Sequence, residues 1–341
     1  MIELLKELIL EHGVSGYEAG IRNLIESKLP PDITRTTDNL GNFIVQIGQG
    51  EDEILFTAHM DELGFIVSEV RPDGFLRIRS LGGIDLRLVP GRTMRIKTKK
   101  GEVCGVVGAI PPHIMSEDRH EMKQVPQFED MFVDVGASNA REAHSLGIEI
   151  LDPVTFQKTF EILNTKYVSA RGLDDRAGCA VLLQVIEKCY TRKMKGKVSF
   201  AFTVQEERGL RGAQLVGSYL KAKRAFAIDT AASALMPGSS PDRGPAVLGA
   251  GPALRCADSR YIADPEFVKE IRKIAAKKKI PTQIIFAGGS TDAAAIEVQG
   301  PKSLPITIPL RYTHSPVEVA NLQDLENTVK LVIAIVEHYT R

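Results

Sequence analysis

Ile54-Leu55-Phe56-Thr57-Ala58-His59-Met60-Asp61 is the stretch that decides the fold. Its first five residues have the apolar and β-branched composition of a buried strand, and the run stops at a histidine followed closely by an acid. The same grammar recurs. Val198 to Val204 runs into Glu206 and Glu207, Ala225 to Ile228 runs into Asp229, and Leu304 to Pro309 runs toward His314. Asp174 and Asp175 stand just before a helical stretch, Arg176 to Tyr190. Strands alternating with helices predict an α/β fold, a mixed sheet with helices on both faces. In open sheets of this kind ligands bind outside the carboxyl ends of the strands, so side chains scattered along the chain are expected to converge there.

Outward from that core, Ile2, Leu5, Leu8 and Ile9 recur at helical spacing until His12-Gly13. Ser15 with Glu18 predicts a capping box opening a second amphipathic helix, Ile21 to Leu29, which Pro30-Pro31 ends. Asn42 to Ile47 reads as a strand. Near residue 65 the pattern changes to short strands divided by Pro72-Asp73-Gly74, Gly82-Gly83, Pro90-Gly91 and Lys99-Lys100-Gly101, which predicts an all-β insertion over 66–165. Within it, Glu117 to Asp130 reads as a long exposed loop and Ala140 to Leu146 as a short helix. The α/β pattern then resumes, with a helix at Gly212 to Leu220, a helix opened by Asp264-Pro265 whose buried stripe is Phe267, Val268, Ile271, Ile274 and Ala275, and a closing helix, Leu322 to Tyr339, preceded by Asn321. Residues 1–65 and 166–341 are thus expected to form one domain interrupted by the insertion.

A chain of 341 residues exceeds the roughly 250–300 at which single cores stop growing, which fits one large domain and a smaller one. Forty-three basic residues balance forty-three acidic ones, so no overall field recruits nucleic acid or an anionic membrane. No apolar run approaches the roughly 20 residues that span a bilayer, and the start reads as an amphipathic helix and not a signal peptide, which gives a cytoplasmic expectation. The four cysteines form no C-x-x-C pair, and Cys179 and Cys189 lie in an apolar helical stretch as buried, inert thiols. His113, His120 and His144 fall in the insertion, at surface or interface positions.

Each site candidate alone has a plainer reading: a structural histidine, a helix-capping aspartate, a solvated glutamate pair. Together they supply the nitrogen and oxygen ligands that zinc or cobalt prefers, with no competing thiolate. Glu206 and Glu207 are adjacent, and neighbours on a strand point to opposite faces, so they are poorly placed to flank one glycosidic bond. At a strand end, one can ligate a cation while the other turns to the attacking water. Gly288-Gly289-Ser290-Thr291-Asp292 lacks the lysine of a phosphate-binding loop and reads as lining a substrate pocket, with Asp292 in it.

Thr57 to Glu62, Gly172 to Arg176, Thr203 to Glu207 with Gly209 to Ala213, Asp229, Gly288 to Ile296 and Arg311 to Pro316 together resemble the M42 aminopeptidases, in the family's order and over nearly the whole chain. The resemblance implies the co-catalytic metallopeptidase fold and two divalent metal ions, zinc or cobalt. Asp174 would bridge them, His59 and Glu207 would complete one site, and Asp229 and His314 the other. Glu206 would be the general base and Asp61 a group behind the ligands that orients them. It further implies peptide substrates with a free N-terminus and a homo-oligomer, a dodecamer built from dimers, with 66–165 as the dimerisation domain. A glycoside hydrolase using the paired carboxylates and a non-catalytic assembly or binding homologue are the competing functions.

Overall fold

The structure is a computed structural model that describes residues 1–50, 53–115, 124–240, 242 and 244–340. It divides into two compact units. One comprises Met1–Glu62, Thr159–Thr313 and Val317–Arg341; the other comprises Leu63–Lys158 and His314–Pro316.

The first unit is built on a mixed sheet whose main path runs Thr34–Thr37, Phe43–Ile47, Lys197–Thr203, Glu53–His59, Arg224–Ala232, Ile306–Arg311, Glu318–Asn321, Tyr167–Ala170, Phe160–Leu163. The four strands Lys197–Thr203, Glu53–His59, Arg224–Ala232 and Ile306–Arg311 are mutually parallel, and antiparallel strands extend the sheet on either side. Buried on both faces, these four read as the near-continuous apolar runs seen in the sequence. Their register levels the candidate residues. Thr203 pairs with His59 and Ala227 with Thr57, so Asp229, two residues on, comes level with His59.

Beneath that level the strands are locked by aromatic packing. Phe56 stacks on Phe200 and Phe226 at ring distances of 5.6 and 5.1 Å, and Phe226 meets Phe267 of the helix Pro265–Lys277 at 5.5 Å. That helix starts where Asp264 accepts hydrogen bonds from the Glu266 and Phe267 amides, and it buries the five residues expected of it. The closing helix Leu322–Tyr339 follows Asn321, whose side chain accepts from the Gln323 amide.

The central helix spans Leu173–Cys189, but Asp174 and Asp175 have non-helical φ/ψ and the peptide between them is cis, so the regular helix begins after them, where the sequence placed its start. Other elements differ from expectation. Asp229 does not follow its strand; it lies within Arg224–Ala232, because small residues continue the strand past the apolar run. Glu206 and Glu207 lie beyond the strand end, in a single 3-10 turn, Glu206–Arg208. The segment read as a pocket loop becomes helical from Asp292 to Glu297.

The second unit is a closed barrel in the order Gly64–Val70, Leu76–Leu81, Val133–Asp134, Gly101–Val107, Thr93–Thr98, Pro153–Phe156. Alternate residues fill it, among them Phe65, Val67, Leu76, Ile78, Met94 and Ile96. The helix Ala140–Ser145 is capped by Asn139, and His113 and His144 are exposed. Of the loop read over 117–130, residues 117–123 lie outside the described residues, His120 with them; its end, Phe128–Asp130, is a 3-10 turn.

The aromatic stack should carry a large share of the sheet's stability. Phe226→Ala is expected to destabilise the chain by about 3–5 kcal/mol, read as a lower urea midpoint with an unchanged slope.

Candidate active site

The carboxyl edge of the parallel strands gathers a histidine and several acids in the first unit. His59 ends its strand almost wholly buried, at 2 % exposure. Its Nδ1 lies 3.0 Å from the Asp61 carbonyl oxygen and 3.5 Å from Asp61 Oδ1. Facing only acceptors, Nδ1 is placed to donate, and in the neutral ring that leaves the lone pair on Nε2. Yet Nε2 also faces an oxygen, Asp174 Oδ1, at 3.2 Å. Two acceptors at that distance attract only if a proton or a cation lies between them.

Donor atoms of His59, Asp174 and Asp229 all lie within 4.8 Å of one another, and Asp174 also comes within 4.8 Å of Glu207. Asp174 is thus common to both groupings. The set is oxygen and nitrogen with an excess of negative charge, which fits a borderline divalent ion. Cys179 does not compete: burial pushes its thiol pKa up, and the thiol donates to the His59 carbonyl at 3.2 Å.

The electrostatics carry the mark of crowding. Burial, then the neighbouring Asp174 charge, pushes the Asp229 carboxyl up to about 7. Burial likewise holds Glu206 well above the usual range against the opposing pull of His59, and Asp229, Glu207 and Asp292 push it the same way. For His59 burial opposes the charged form, but the hydrogen bonds to Asp174 and Asp61 outweigh it and raise the imidazole well above its ordinary value. Burial would raise Asp61 too, but there His59 and Ser15 prevail, and its pKa falls.

Other side chains hold this arrangement without facing it. Asp175 accepts from the Gly178 amide at 2.9 Å and the His59 amide at 3.2 Å, so it caps the central helix and pins the end of the His59 strand. Gly178 is required there, since a Cβ would collide with both Asp175 oxygens. Glu318 accepts from the amides of Gly172 and Asp174 and steadies the approach to Asp174. Asp61 accepts from the Ser15 hydroxyl at 2.5 Å, the Glu206 amide at 2.9 Å and the Glu207 amide at 3.2 Å. Asp292, read from the sequence as part of a pocket wall, is buried and accepts from the Thr203 hydroxyl at 2.6 Å. That oxygen is turned to the strand end, and burial lifts the Asp292 pKa to about 6.

The expected capping box does not form. The Ser15 hydroxyl goes to Asp61, while Glu18 occupies the N-cap of Ala19–Ser27 with no side-chain cap bond and accepts instead from Gly16 and Gln205. The spacing marks a local motif, and tertiary partners take both side chains. Ser15, Glu18, Asp175, Thr203 and Glu318 all belong to the site's support; Asp175, as the neighbour of Asp174, and Thr203, at the head of the Thr203 to Glu207 stretch, carry a sequence signal for that place. His314 is grouped with the second unit, has a left-handed φ of 64°, and places Nδ1 3.2 Å from the Gly83 carbonyl oxygen.

The large mixed α/β sheet with its separate β-barrel matches the fold of solved aminopeptidase structures. A family model described as M42 glutamyl aminopeptidase matches residues 41–331. A putative aminopeptidase of Acetivibrio thermocellus is 35% identical over 98% of this chain and 97% of its own, and the lysyl aminopeptidase of Pyrococcus furiosus is 32% identical over 98% and 96%. Among solved structures, the TET1 peptidase of Pyrococcus horikoshii, described as assembling into a tetrahedron or a large octahedral shell, superposes with a TM-score of 0.92 at 42% identity, covering 98% of each chain. The chain belongs to the M42 aminopeptidase family. It is a hydrolase of the peptidase class, and no helix among its described residues is long and apolar enough to cross a membrane.

The raised acids set a pH dependence. Asp229 moves from 3.8 to about 7, so the folded, metal-free chain holds a proton that the unfolded chain releases. Its contribution is fully present below 3.8 and is lost as pH rises through about 7. Urea melts of the chelator-treated protein are expected to show stability falling over that window, and a divalent cation should flatten the dependence by replacing the proton.

Proposed function

We propose that this chain removes N-terminal residues from peptides with two divalent cations, zinc or cobalt, and Glu206 as general base. The observation that carries the proposal is the sharing of Asp174 between a His59–Asp229 grouping and Glu207. In this reading Asp174 would be shared by the two cations, His59 and Asp229 would hold one with it, and Glu207 and His314 the other, which pairs the ligands differently from the expectation drawn from the resemblance. Support for His314 is the family motif Arg311 to Pro316 and its place shortly after the strand that pairs with the Asp229 strand.

When bound, such a pair polarises the scissile carbonyl and makes the attacking water more acidic. The remaining tasks fall to the chain. Glu206, buried beside Glu207 and Asp229, would take a proton from the water and hand it to the leaving amine once bound cations offset the burial and the neighbouring negative charge that otherwise favour its protonated form. Asp61 fixes the backbone of Glu206 and Glu207 through two amide hydrogen bonds, so base and ligand keep their separation. Nδ1 of His59, held by Asp61, would leave Nε2 as the nitrogen that holds a cation. The peptide's free N-terminus completes recognition, as an amine ligand or as an ammonium among these acids.

A homo-oligomer built from dimers through the barrel unit, up to a dodecamer, belongs to the same proposal; the tetrahedral assembly described for the TET1 peptidase supports it. So does a cytoplasmic setting, supported by four cysteines that are all free thiols. Relatives of this chain include a lysyl and a glutamyl aminopeptidase, so the preferred N-terminal side chain is a matter for a panel of aminoacyl anilides.

Glu206→Gln should lower kcat on those anilides by about 10²–10⁴-fold while bound metal and assembly stay unchanged. Dialysis against a strong chelator should abolish hydrolysis, and zinc or cobalt should restore it. Full activity after verified metal removal would overturn the proposal.

A further inference from the structure

Glu206 and Glu207 sit on a turn that no regular element holds. Gln205 before it has φ 54° and Gly209 after it φ 100°, so the backbone turns through left-handed conformations on both sides. That conformation is disfavoured for a residue with a side chain and persists only when its surroundings hold it. The holding is visible in three successive amides: Gln205 donates to Glu18 Oε1 at 3.1 Å, Glu206 to Asp61 Oδ1 at 2.9 Å and Glu207 to Asp61 Oδ2 at 3.2 Å.

Glu18 is 187 residues from Gln205 in the chain and is 5 % exposed. The same Oε1 accepts from the Gly16 amide at 2.7 Å, so the carboxylate is fixed from both sides. The segment that carries it is anchored too: the Glu62 amide donates to the Gly13 carbonyl at 2.9 Å, and the Ser15 hydroxyl donates to Asp61. Glu18 therefore links the N-terminal segment to the first amide of the turn.

We propose that Glu18 is a positioning residue for hydrolysis: by accepting from the Gln205 amide it sets the turn that carries Glu206 and Glu207. This rests on the assignment of Glu206 as the base. A side chain that only supported the fold would lose activity in proportion to the unfolded fraction. A positioning residue loses turnover in the folded enzyme, because a misplacement of about 1 Å can cost on the order of 10²-fold.

The test uses the full-length, metal-loaded enzyme and an aminoacyl anilide. Glu18→Ala is expected to lower kcat by about 10–100-fold with KM within about twofold and bound metal unchanged. Glu18→Gln keeps the accepting oxygen and should recover most of that loss. Glu18→Asp keeps the charge but shortens the reach and should behave like alanine, which covers the case in which the alanine variant fails to fold. An alanine or aspartate variant with unchanged kcat overturns the proposal, as does a glutamine variant no better than alanine. In a Glu206→Gln background the Glu18 substitutions should add no further loss. A fully active Glu206→Gln enzyme would remove the base assignment, whereas a fully active Glu18→Ala enzyme would remove the positioning role alone.

Discussion

Asp174, Asp229 and Glu206 are buried close to one another and to His59, and that concentration of like charge constrains everything near it. In a low-dielectric setting carboxylates this close cannot all ionise unless positive charge joins them. Without a cation, burial and then this crowding raise the pKa values of Asp229 and Glu206, which favours their protonated forms. The arrangement is electrostatically unfavourable and has to be imposed by the scaffold. Parallel strands impose it: they bring His59, Thr203 and Asp229 level at one edge, while Phe56, Phe200 and Phe226 lock the same strands below.

Hydrogen-bond accounting separates the acids that can act on a ligand from those that support. Asp175 gives its oxygens to the amides of Gly178 and His59, and Asp61 gives its own to Ser15, Glu206 and Glu207. Each satisfies backbone donors that a helix start or a tight turn leaves without partners. Asp174 instead directs an oxygen at His59 Nε2 and shares its surroundings with Asp229 and Glu207. The adjacent Asp174 and Asp175 thus divide into one that faces the ligand site and one that builds the helix behind it.

The apolar runs before His59 and Glu206 are legible in the sequence because strands buried on both faces leave no other pattern, and the Asp264 cap is legible because its partners lie two and three residues away. Asp229 is legible as well, but its strand reads as ending too soon, since Thr230, Ala231 and Ala232 have no strong apolar signature. Strands with few large apolar residues, such as Thr34–Thr37 and Glu318–Asn321, escape notice for the same reason. Glu18 shows the deeper limit. Its spacing from Ser15 matches a local cap, yet its partner is Gln205, and nothing in a run of neighbouring residues announces a contact made across the fold.

That limit has a physical origin. Local motifs compete with tertiary partners on nearly equal terms, because a capping hydrogen bond and a bond to a distant amide contribute similar net energies, about 1 kcal/mol. What decides is the cost of leaving a buried group unpaired, and the buried donors here lie on a turn forced into left-handed backbone. Ala19, at the start of the helix Ala19–Ser27, is exposed to water, whereas Gln205 is half-buried and its amide is served by Glu18. The side chain accordingly goes where its absence would cost more, and a helix-capping sequence becomes part of the support for an active site.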